Sequence, residues 1–301
     1  MKTRLIFLFA VGAIMLFTNC SDDSGKENFD KTGRLTVRLT DAPFPYDMVS
    51  EANVTIFKVD ARLASKEDET DAKEDEMDED SPFVVLMETE IDVNLLDLTN
   101  GTTKMLADLE VPVGTYDLVR IYVKGINVVL TDGRTFDLKV PSGEQTGIKV
   151  FIKPALTVAG GISSDLLLDF DVSRSFVAKG AIDKVEGITG FNFKPVIKAS
   201  NMSTSGTLTG NVSTIEEEMA IAIEGAQISV FAADTLNTTA FSDVDGNYTV
   251  MGLGAGAYKV LAEKEGYISS DTLDFEIVAG NKTSQDFVLE KDESSENNGG
   301  N

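Results

Sequence analysis

Two aspartates separated by one residue are the first candidates for chemistry in this sequence. Asp169 and Asp171 flank Phe170 at the end of an apolar run, and residues two apart on a β-strand lie on one face of the sheet. Glycoside hydrolysis uses two carboxyl groups on either side of the scissile bond, so a carboxylate-dependent hydrolase is one hypothesis. The pair also precedes Ser173 at a predicted strand end, where acids commonly accept hydrogen bonds from turn N–H groups. We favour this turn role and assign no catalytic residue.

Acidic residues also suggest Ca²⁺, which binds carboxylate oxygens. Residues 67–80 contain ten acids and one lysine, without a fixed glycine or ligand spacing. We interpret them as a solvated loop, with weak Ca²⁺ collection as the alternative. Asp243, Asp245 and Asn247 resemble half of a calcium loop, but its twelfth position is Gly254 instead of Glu. We therefore predict a turn around Asp245-Gly246, and we assign no metal and no cofactor site.

The composition excludes several classes of site. The chain has 301 residues, 50 acidic against 26 basic, no His, no Trp, one Cys and a net charge of −24. The lack of His excludes Ser-His-Asp and Cys-His nucleophilic sites, and with a single Cys it excludes the usual zinc ligand sets. Binding of nucleic acid needs a basic stripe. We predict a protein that is not an enzyme and has no nucleic-acid partner.

The N-terminus indicates export. Lys2 and Arg4 precede an apolar run over residues 5–17, which is typical of a signal peptide and too short to span a bilayer. The run ends before Cys20, and this arrangement resembles the lipobox of bacterial lipoproteins, whose cysteine becomes the acylated first residue. The residue before it, Asn19, is larger than usual, but looser boxes are common in the Bacteroidota. The resemblance implies lipidation of Cys20 and a membrane partner; the alternative is an ordinary secretory signal.

Two further resemblances concern the exported chain. Residues 21–24 read SDDS, which is similar to the surface-export signal of Bacteroidota lipoproteins, although a plain polar tether is the alternative. The implied location is the outer membrane, lipid-anchored and exposed at the cell surface. The sequence Asp-Thr-Leu occurs twice, around Thr235 and Thr272. It resembles the pattern that Bacteroidota use for O-glycosylation, so both threonines are candidate modification sites.

The elements that would position these residues are mainly strands. Residues 34–63 show apolar residues at alternate positions, as in half-buried strands. Asp132-Gly133 between two apolar runs indicates a hairpin. The one helix candidate is Thr102 to Leu109. Short strands separated by closely spaced turns predict an all-β chain built as β-sandwiches.

Shifts in composition divide the chain into two tandem domains with flexible flanks. The predicted order is a signal peptide (1–19), a tether (20–32), a first β-sandwich (33–199) with an acidic loop (65–81), a linker (200–206), a second β-sandwich (207–289) and a disordered tail (290–301).

The first domain resembles the family named domain of unknown function 4382, for which no chemistry is established. The resemblance rests on seven motifs in the family's order, which are LTDAP at 39–43, VTIFKVDA at 54–61, NLLDLTNG at 94–101, VPVGTYDLVRI at 111–121, VPSGEQTGIKV at 140–150, LLLDFDVSRSF at 166–176 and FNFKPVIKA at 191–199.

The second domain resembles the carboxypeptidase regulatory-like domain. The matching segments are Gly225-Ala226 before a strand, the turn at residues 243–248, Leu253 with Gly256-Ala257-Tyr258, and Gly266-Tyr267. This resemblance implies a prealbumin-like Greek-key sandwich without catalytic residues. Residues 112–116 enter a strand as residues 254–258 do, which we interpret as shared Ig-like architecture.

These observations predict a non-enzymatic lipoprotein that acts as a binding or structural display module, with a glycan or a protein as its ligand. The alternative is a carbohydrate-binding accessory protein, because prealbumin-like sandwiches resemble carbohydrate-binding folds. In that case Tyr46, Tyr122 and exposed Phe side chains would replace the missing Trp as sugar platforms. A carboxylate-dependent hydrolase is the second alternative. The sequence names neither a ligand nor an oligomeric state.

Overall fold

A computed structural model describes residues 31–42, 48–64, 82–140 and 143–292. The strands of the first domain are β1 (Thr32–Ala42), β2 (Val49–Leu63), β3 (Phe83–Met87), β4 (Ile91–Asn94), β5 (Lys104–Pro112), β6 (Gly114–Leu130), β7 (Thr135–Leu138), β8 (Ile148–Val158), β9 (Ser163–Asp171), β10 (Phe176–Gly180), β11 (Ile188–Phe193) and β12 (Ile197–Asn201). Its short helices are α1 (Gly143–Thr146), α2 (Val172–Ser175) and two 3₁₀ turns, Leu95–Leu98 and Val185–Gly187.

The second domain consists of strands alone within the described residues. They are β13 (Ser205–Glu216), β14 (Met219–Ala222), β15 (Gln227–Ala232), β16 (Thr235–Phe241), β17 (Asn247–Gly254), β18 (Gly256–Glu263), β19 (Leu273–Ile277), β20 (Lys282–Ser284) and β21 (Phe287–Val288).

The main sheet of the first domain has the strand order β3-β2-β6-β8-β12-β9-β1-β5, with β4 beside β2 and β7 beside β6. The pairs β1–β9 and β8–β12 are parallel, and the other pairs along this path are antiparallel. The two end strands, β3 and β5, contact each other. The sheet therefore curves back on itself, and its two halves enclose one core.

The alternation predicted in the first strand matches its burial. Leu35, Val37 and Leu39 on β1 are completely buried, and they pack with Tyr116 and Phe170 in the core of the first domain. Since successive strand residues point to opposite faces, this alternation places one face of β1 in the core. The predicted all-β class is confirmed.

The second domain is a two-sheet sandwich. One sheet has the order β16-β15-β18-β19, and the other has β13 between the collinear strands β17 and β14 on one side and β20 and β21 on the other. Leu208, Val212, Ile228, Tyr248 and Val260 fill the core between the sheets. The prediction of two tandem β-sandwiches is confirmed.

A tyrosine corner occurs once in each domain. The Tyr116 hydroxyl donates to the Pro112 carbonyl (2.9 Å), and the Tyr258 hydroxyl donates to the Gly254 carbonyl (3.0 Å). In each domain a glycine with positive φ lies two residues before the tyrosine. The φ angle is 151° at Gly114 and 147° at Gly256. The similarity seen in the sequence therefore extends to a shared hydrogen bond at the strand entrance.

The predicted helix at Thr102–Leu109 is wrong. Residues 104–109 belong to β5, which pairs with β1. The register shifts by one residue opposite Val37 and Arg38, because Leu106 is an additional residue on β5. This bulge buries two consecutive side chains, those of Leu106 and Ala107, and so breaks the two-residue periodicity from which a strand is recognised.

The residues predicted as a linker are ordered backbone. They form the end of β12, a turn, and the start of β13. Asn201 shapes the turn, since its side-chain oxygen accepts from the Ser203 N–H (3.0 Å) and its carbonyl accepts from the Thr204 N–H (3.1 Å). None of the helices in the described part of the chain is long and apolar enough to cross a membrane.

Candidate functional site

A small cavity lies where the two domains meet. Thr40, Asp41 and Asp169 line it from the first domain, and the second domain contributes residues of β16 and β17. Its volume of about 20 Å³ is that of a single water molecule. Parallel pairing of β1 with β9 places Thr40 beside Asp169. Asp169, one of the two aspartates singled out in the sequence, therefore lies at the domain junction.

Asp169 is enclosed at this junction. Burial raises the pKa of Asp169 to about 6, and the neighbouring Asp171 contributes in the same direction, whereas Lys198 opposes the shift. The amine of Lys198 donates to the backbone carbonyl of Asn237 in the second domain. Burial also lowers the pKa of Lys198. Because residues of both domains line the cavity beside Asp169, docking of the domains contributes to the burial of its charge.

Asp41 is a second buried carboxylate near the junction. Its Oδ1 accepts from the Val172 N–H (3.1 Å), but its Oδ2 has no hydrogen-bond partner. Burial, with Asp169 and Asp171 nearby, holds the pKa of Asp41 well above its usual range. Burial therefore favours the protonated form of this acid, which the sequence did not mark as a candidate.

Asp171 has the turn role predicted for it. Its Oδ1 accepts from the Arg174 N–H (2.9 Å) and from the Ser173 hydroxyl (2.7 Å), and its Oδ2 accepts from the Arg174 side chain (2.6 Å). The carboxylate therefore caps α2. Asp169 makes no such contact and faces the second domain. The pair thus divides between a turn and a domain junction, which does not favour the two-carboxylate hydrolase.

Asn100 is one of the residues by which the first domain contacts the second. Its side-chain oxygen accepts from the Thr249 N–H (2.8 Å), and its side-chain amide donates to the Asn247 carbonyl (2.9 Å). The side-chain amide of Asn100 therefore makes the two backbone hydrogen bonds that a neighbouring strand would make at the outer edge of β17. Asn100 has φ 58°, a left-handed conformation that Asn tolerates better than most residues. The Ser200 hydroxyl adds a bond to the Gly252 carbonyl (2.9 Å).

The calcium-like motif forms a turn. Asp243 Oδ1 accepts from the N–H groups of Asp245 (3.0 Å) and Asn247 (2.8 Å), and Gly246 has φ 77°. The carboxylate is thus engaged by the backbone, as predicted. Among the residues that the structure describes, no group of three or more Asp, Glu or Cys side chains is arranged to hold a metal ion.

An open groove lies on the outer face of the β15-β18-β19 sheet. Its volume is about 470 Å³, and Phe231, Lys259, Leu261, Thr272 and Asp274 contribute to its walls. Antiparallel pairing aligns Phe231, Lys259 and Asp274 in one row across the three strands.

Asp234 also lines the groove, and its carboxylate is 2.6 Å from the Lys259 amine. The groove therefore combines one aromatic ring with charged groups at its edge. Both candidate glycosylation sites, Thr235 and Thr272, are exposed.

The comparisons with known proteins match this two-domain division. The model of a domain of unknown function, DUF4382, matches residues 32–195, which is more than half of the chain. The chain belongs to the DUF4382 family. A carboxypeptidase regulatory-like domain matches residues 207–290 and follows the DUF4382 domain. Both domain resemblances predicted from the motifs are confirmed.

Solved structures with detectable similarity are distant. The Bacillus anthracis TIE protein has 12% identity over 87% of this chain and 34% of its own, with a TM-score of 0.26. The minor pilin GBS52 of Streptococcus agalactiae has 11% identity over 85% and 96%, with a TM-score of 0.26. The shaft pilin SpaA of Lactobacillus rhamnosus GG has 11% identity over 87% and 98%, with a TM-score of 0.27. The chain spans about a third of the length of the first of these proteins. A search of curated proteins gives no match.

One suggested sugar platform is wrong. Tyr122 of the DUF4382 domain is buried, and its hydroxyl donates to Asp60 (3.1 Å), which also accepts two bonds from Arg120 (2.8 and 2.9 Å). Several predicted features lie outside the described residues, namely the signal peptide, Cys20, the tether up to residue 30, the acidic loop at 65–81, Tyr46 and the end of the tail.

Proposed function

We propose that this DUF4382 protein is a non-catalytic lipoprotein that is anchored to the outer membrane through Cys20 and displays its two sandwiches at the cell surface. The apolar run that ends before Cys20 supports the anchor, and the docking of the second domain through Asn100 supports the display role. A displayed element must hold its distal domain in a defined position, and the amide of Asn100 joins the domains through two strand-like hydrogen bonds. The division of Asp169 and Asp171 between separate roles supports the absence of catalysis.

The anchor is tested by labelling cells that express the full chain with an alkyne fatty acid. Wild-type protein should acquire the label and fractionate with the outer membrane, whereas Cys20→Ser should do neither. Protease added to intact cells should then degrade the wild-type protein. An unlabelled wild-type chain would contradict lipidation, and a chain that resists protease until the cells are lysed would contradict surface display.

A carbohydrate-binding accessory role is the second candidate, and the outer groove of the second domain favours it. The ring of Phe231 provides a face for a sugar, and Asp234, Lys259 and Asp274 provide hydrogen-bonding groups beside it. A glycan array with purified protein tests this role. Binding should disappear in Phe231→Ala and persist in Leu236→Ala, a change on an exposed side chain outside the walls of the groove. An array without signal for wild-type protein would remove the candidate.

A carboxylate-dependent hydrolase is the least supported alternative. It predicts a glycosidase activity that Asp169→Asn and Asp171→Asn each abolish. We expect a panel of chromogenic glycosides to remain uncleaved by the wild-type protein, because Asp171 is engaged by α2 and Asp169 by the domain junction. Turnover by wild-type protein that is lost in both variants would contradict the non-catalytic proposal.

A further inference from the structure

The sheet that contains β13 has an outer edge formed by β17 and β14. Along β17 this edge is hydrogen-bonded to the first domain, and along β14 it is bare, that is, without a described partner. β17 and β14 follow one another along the same side of β13, with Asn247 opposite Asn211 and Ala222 opposite Ser213. Asn100 of the first domain occupies the outer edge of β17. β14 continues this edge, and among the described strands it pairs with β13 alone.

The register shows which groups β14 presents. A two-residue turn closes the β13–β14 hairpin, and the Ile223 N–H donates inward to Val212 (3.0 Å). In an antiparallel pair, inward and outward N–H and C=O groups alternate along the strand. Met219 and Ile221 therefore bond to β13, and the N–H and C=O groups of Ala220 and Ala222 point outward. A strand added at this edge would find two residues that offer backbone hydrogen bonds.

The side chains around this edge are apolar and exposed. Met219 and Ile221 on β14 are 60% and 43% exposed, and Ile215 and Val288 on adjacent strands are 56% and 58% exposed. Bare edges usually carry charges or prolines that block strand addition. Here the four strand residues themselves read Met-Ala-Ile-Ala, and charge is confined to the flanks.

The flanking charges are all negative. Glu216, Glu217 and Glu218 precede or begin the turn into β14, and Glu224 follows the strand. Glu217 and Glu218 have φ 48° and 67°, a conformation in which Asn and Gly are much commoner than Glu. Lys291 contacts Glu216 (2.6 Å). Glu217 and Glu218 leave a net negative charge at the turn. At the other end Glu224 is exposed, and the amine of Lys264 donates to the carbonyl of the neighbouring Gly225 (3.3 Å).

These charges decide against a second copy of the chain. In a symmetric antiparallel pair of β14 strands centred on Ile221, Glu218 of each copy would face Glu224 of the other. Centring the pair on Ala220 would place Glu218 opposite Ala222 and diagonal to Glu224 of the other copy. Like charges directly opposite each other destabilise a strand pair, so the edge suits a different sequence.

We propose that β14 is a docking edge for an extended strand of another protein, with alternating apolar residues in its centre and Lys or Arg at the end that faces the turn. The outward groups of Ala220 and Ala222 bind its backbone, Met219 and Ile221 contact its apolar side chains, and the two glutamates of the turn select its basic end. This mode of recognition takes affinity from main-chain hydrogen bonds and specificity from alternate side chains.

Two synthetic peptides test the proposal on the purified, folded chain. The first has the sequence Lys-Val-Thr-Val-Thr-Val-Lys, and the second replaces both lysines by Glu. Fluorescence anisotropy should detect the basic peptide and find at least about tenfold weaker binding of the acidic peptide. The measurement needs no membrane, so its failure would leave the proposed lipid anchor untouched.

Ala220→Pro is the decisive variant. Proline removes an N–H that points away from β13, so the hairpin keeps its own bonds while the added strand loses one. Ala220→Thr is the matched control, because it retains the N–H. Binding of the basic peptide should fall at least about tenfold in the proline variant and persist in the control.

A charge reversal provides a second test that does not depend on proline. Glu217→Lys combined with Glu218→Lys should reverse the preference, so that the acidic peptide binds more tightly. Three outcomes would overturn the proposal, namely no binding of the basic peptide at about 1 mM, equal binding by folded Ala220→Pro, or an unchanged preference in the charge-reversed protein.

Discussion

At the residue scale, the domain junction is built around ionisable groups that are held away from water. Burial raises the pKa of Asp169 and Asp41 and lowers the pKa of Lys198. In all three cases it favours the neutral form of the group. A group whose charge is unfavourable in the folded state links stability to pH. The junction is therefore expected to respond to pH, although its side chains form no catalytic arrangement.

Asp169→Asn should change the pH dependence of stability. The folded-state pKa of about 6 lies above the ordinary value of 3.8 for an aspartate, so the native protein binds more protons than the unfolded chain between these pH values. The stability associated with Asp169 is complete below about pH 4 and is lost as the pH rises through 6. The variant should match the wild type at pH 4 and exceed it by about 3 kcal/mol at pH 8.

Urea unfolding at both pH values measures this difference. Asp108→Asn is the control with the opposite sign, because Arg34 lowers the pKa of Asp108, so this variant should lose stability at pH 8. An Asp169→Asn protein with the pH profile of the wild type would contradict the argument.

A second residue-scale prediction concerns the buried ion pair of the first domain. Asp60 is almost completely buried and accepts two bonds from Arg120, whose guanidinium lies 3.4 Å from the centre of the Phe83 ring. Arg120→Ala would leave a buried carboxylate without its main partner, and should lower the free energy of unfolding by about 3–5 kcal/mol.

Arg34→Ala is the matched control. It also removes a bidentate pair, between Arg34 and Asp108, but this pair lies at the surface, where solvent screens it, so the loss of stability should be much smaller. Chemical denaturation of both variants measures the contrast. Equal losses would show that the pair of Asp60 and Arg120 does not depend on burial for its effect.

At the element scale, turns were predictable where an Asp-Gly dipeptide indicates a positive φ at the glycine. Asp132-Gly133 and Asp245-Gly246 both form turns with positive φ at the glycine, as their dipeptides predicted. β5 was not predictable, because its bulge depends on the register with β1. A local pattern shows which residues are apolar, but the partner strand decides whether two consecutive side chains become buried.

The two turns differ in the space around their glycines. A Cβ atom at Gly246 would lie 2.4 Å from the Val212 carbonyl oxygen, whereas one at Gly133 would have no atom within 4 Å. Gly246→Ala combines backbone strain with this clash and should cost about 2–4 kcal/mol, whereas Gly133→Ala should cost about 1 kcal/mol from strain alone. Thermal unfolding of the two variants checks the difference, and equal losses would contradict it.

At the scale of the whole molecule, the two sandwiches are joined by side chains as well as by the chain connection. Asn100 replaces a strand partner at β17, and Lys198 and Ser200 add bonds to carbonyl groups of the second domain. The turn at residues 202–204 is short and hydrogen-bonded. The domains are therefore expected to unfold as coupled units.

Asn100→Gly should uncouple them. Glycine tolerates the positive φ of this position and removes both amide hydrogen bonds to β17. Calorimetry should show one transition for the wild type and two for the variant, with the second domain melting first. Asn192→Ala, a change on an exposed residue of the β10–β11 hairpin, is the control and should retain one transition. A single transition in Asn100→Gly would contradict coupling through this residue.

The sequence alone determined the all-β class, the two domains, most turns and the family, because apolar alternation and glycine-containing turns are local properties. It also identified Asp169 and Asp171 as residues to examine. Only the tertiary structure separated their roles. Asp171 caps the adjacent helix α2, whereas Asp169 lines a cavity with residues of the second domain, which begins more than thirty residues later in the chain. The parts played by Asp41, Asn100 and the bare edge of β14 were equally inaccessible. Burial, pairing and exposure at these positions depend on which distant strands lie beside them, and a local pattern does not encode that arrangement.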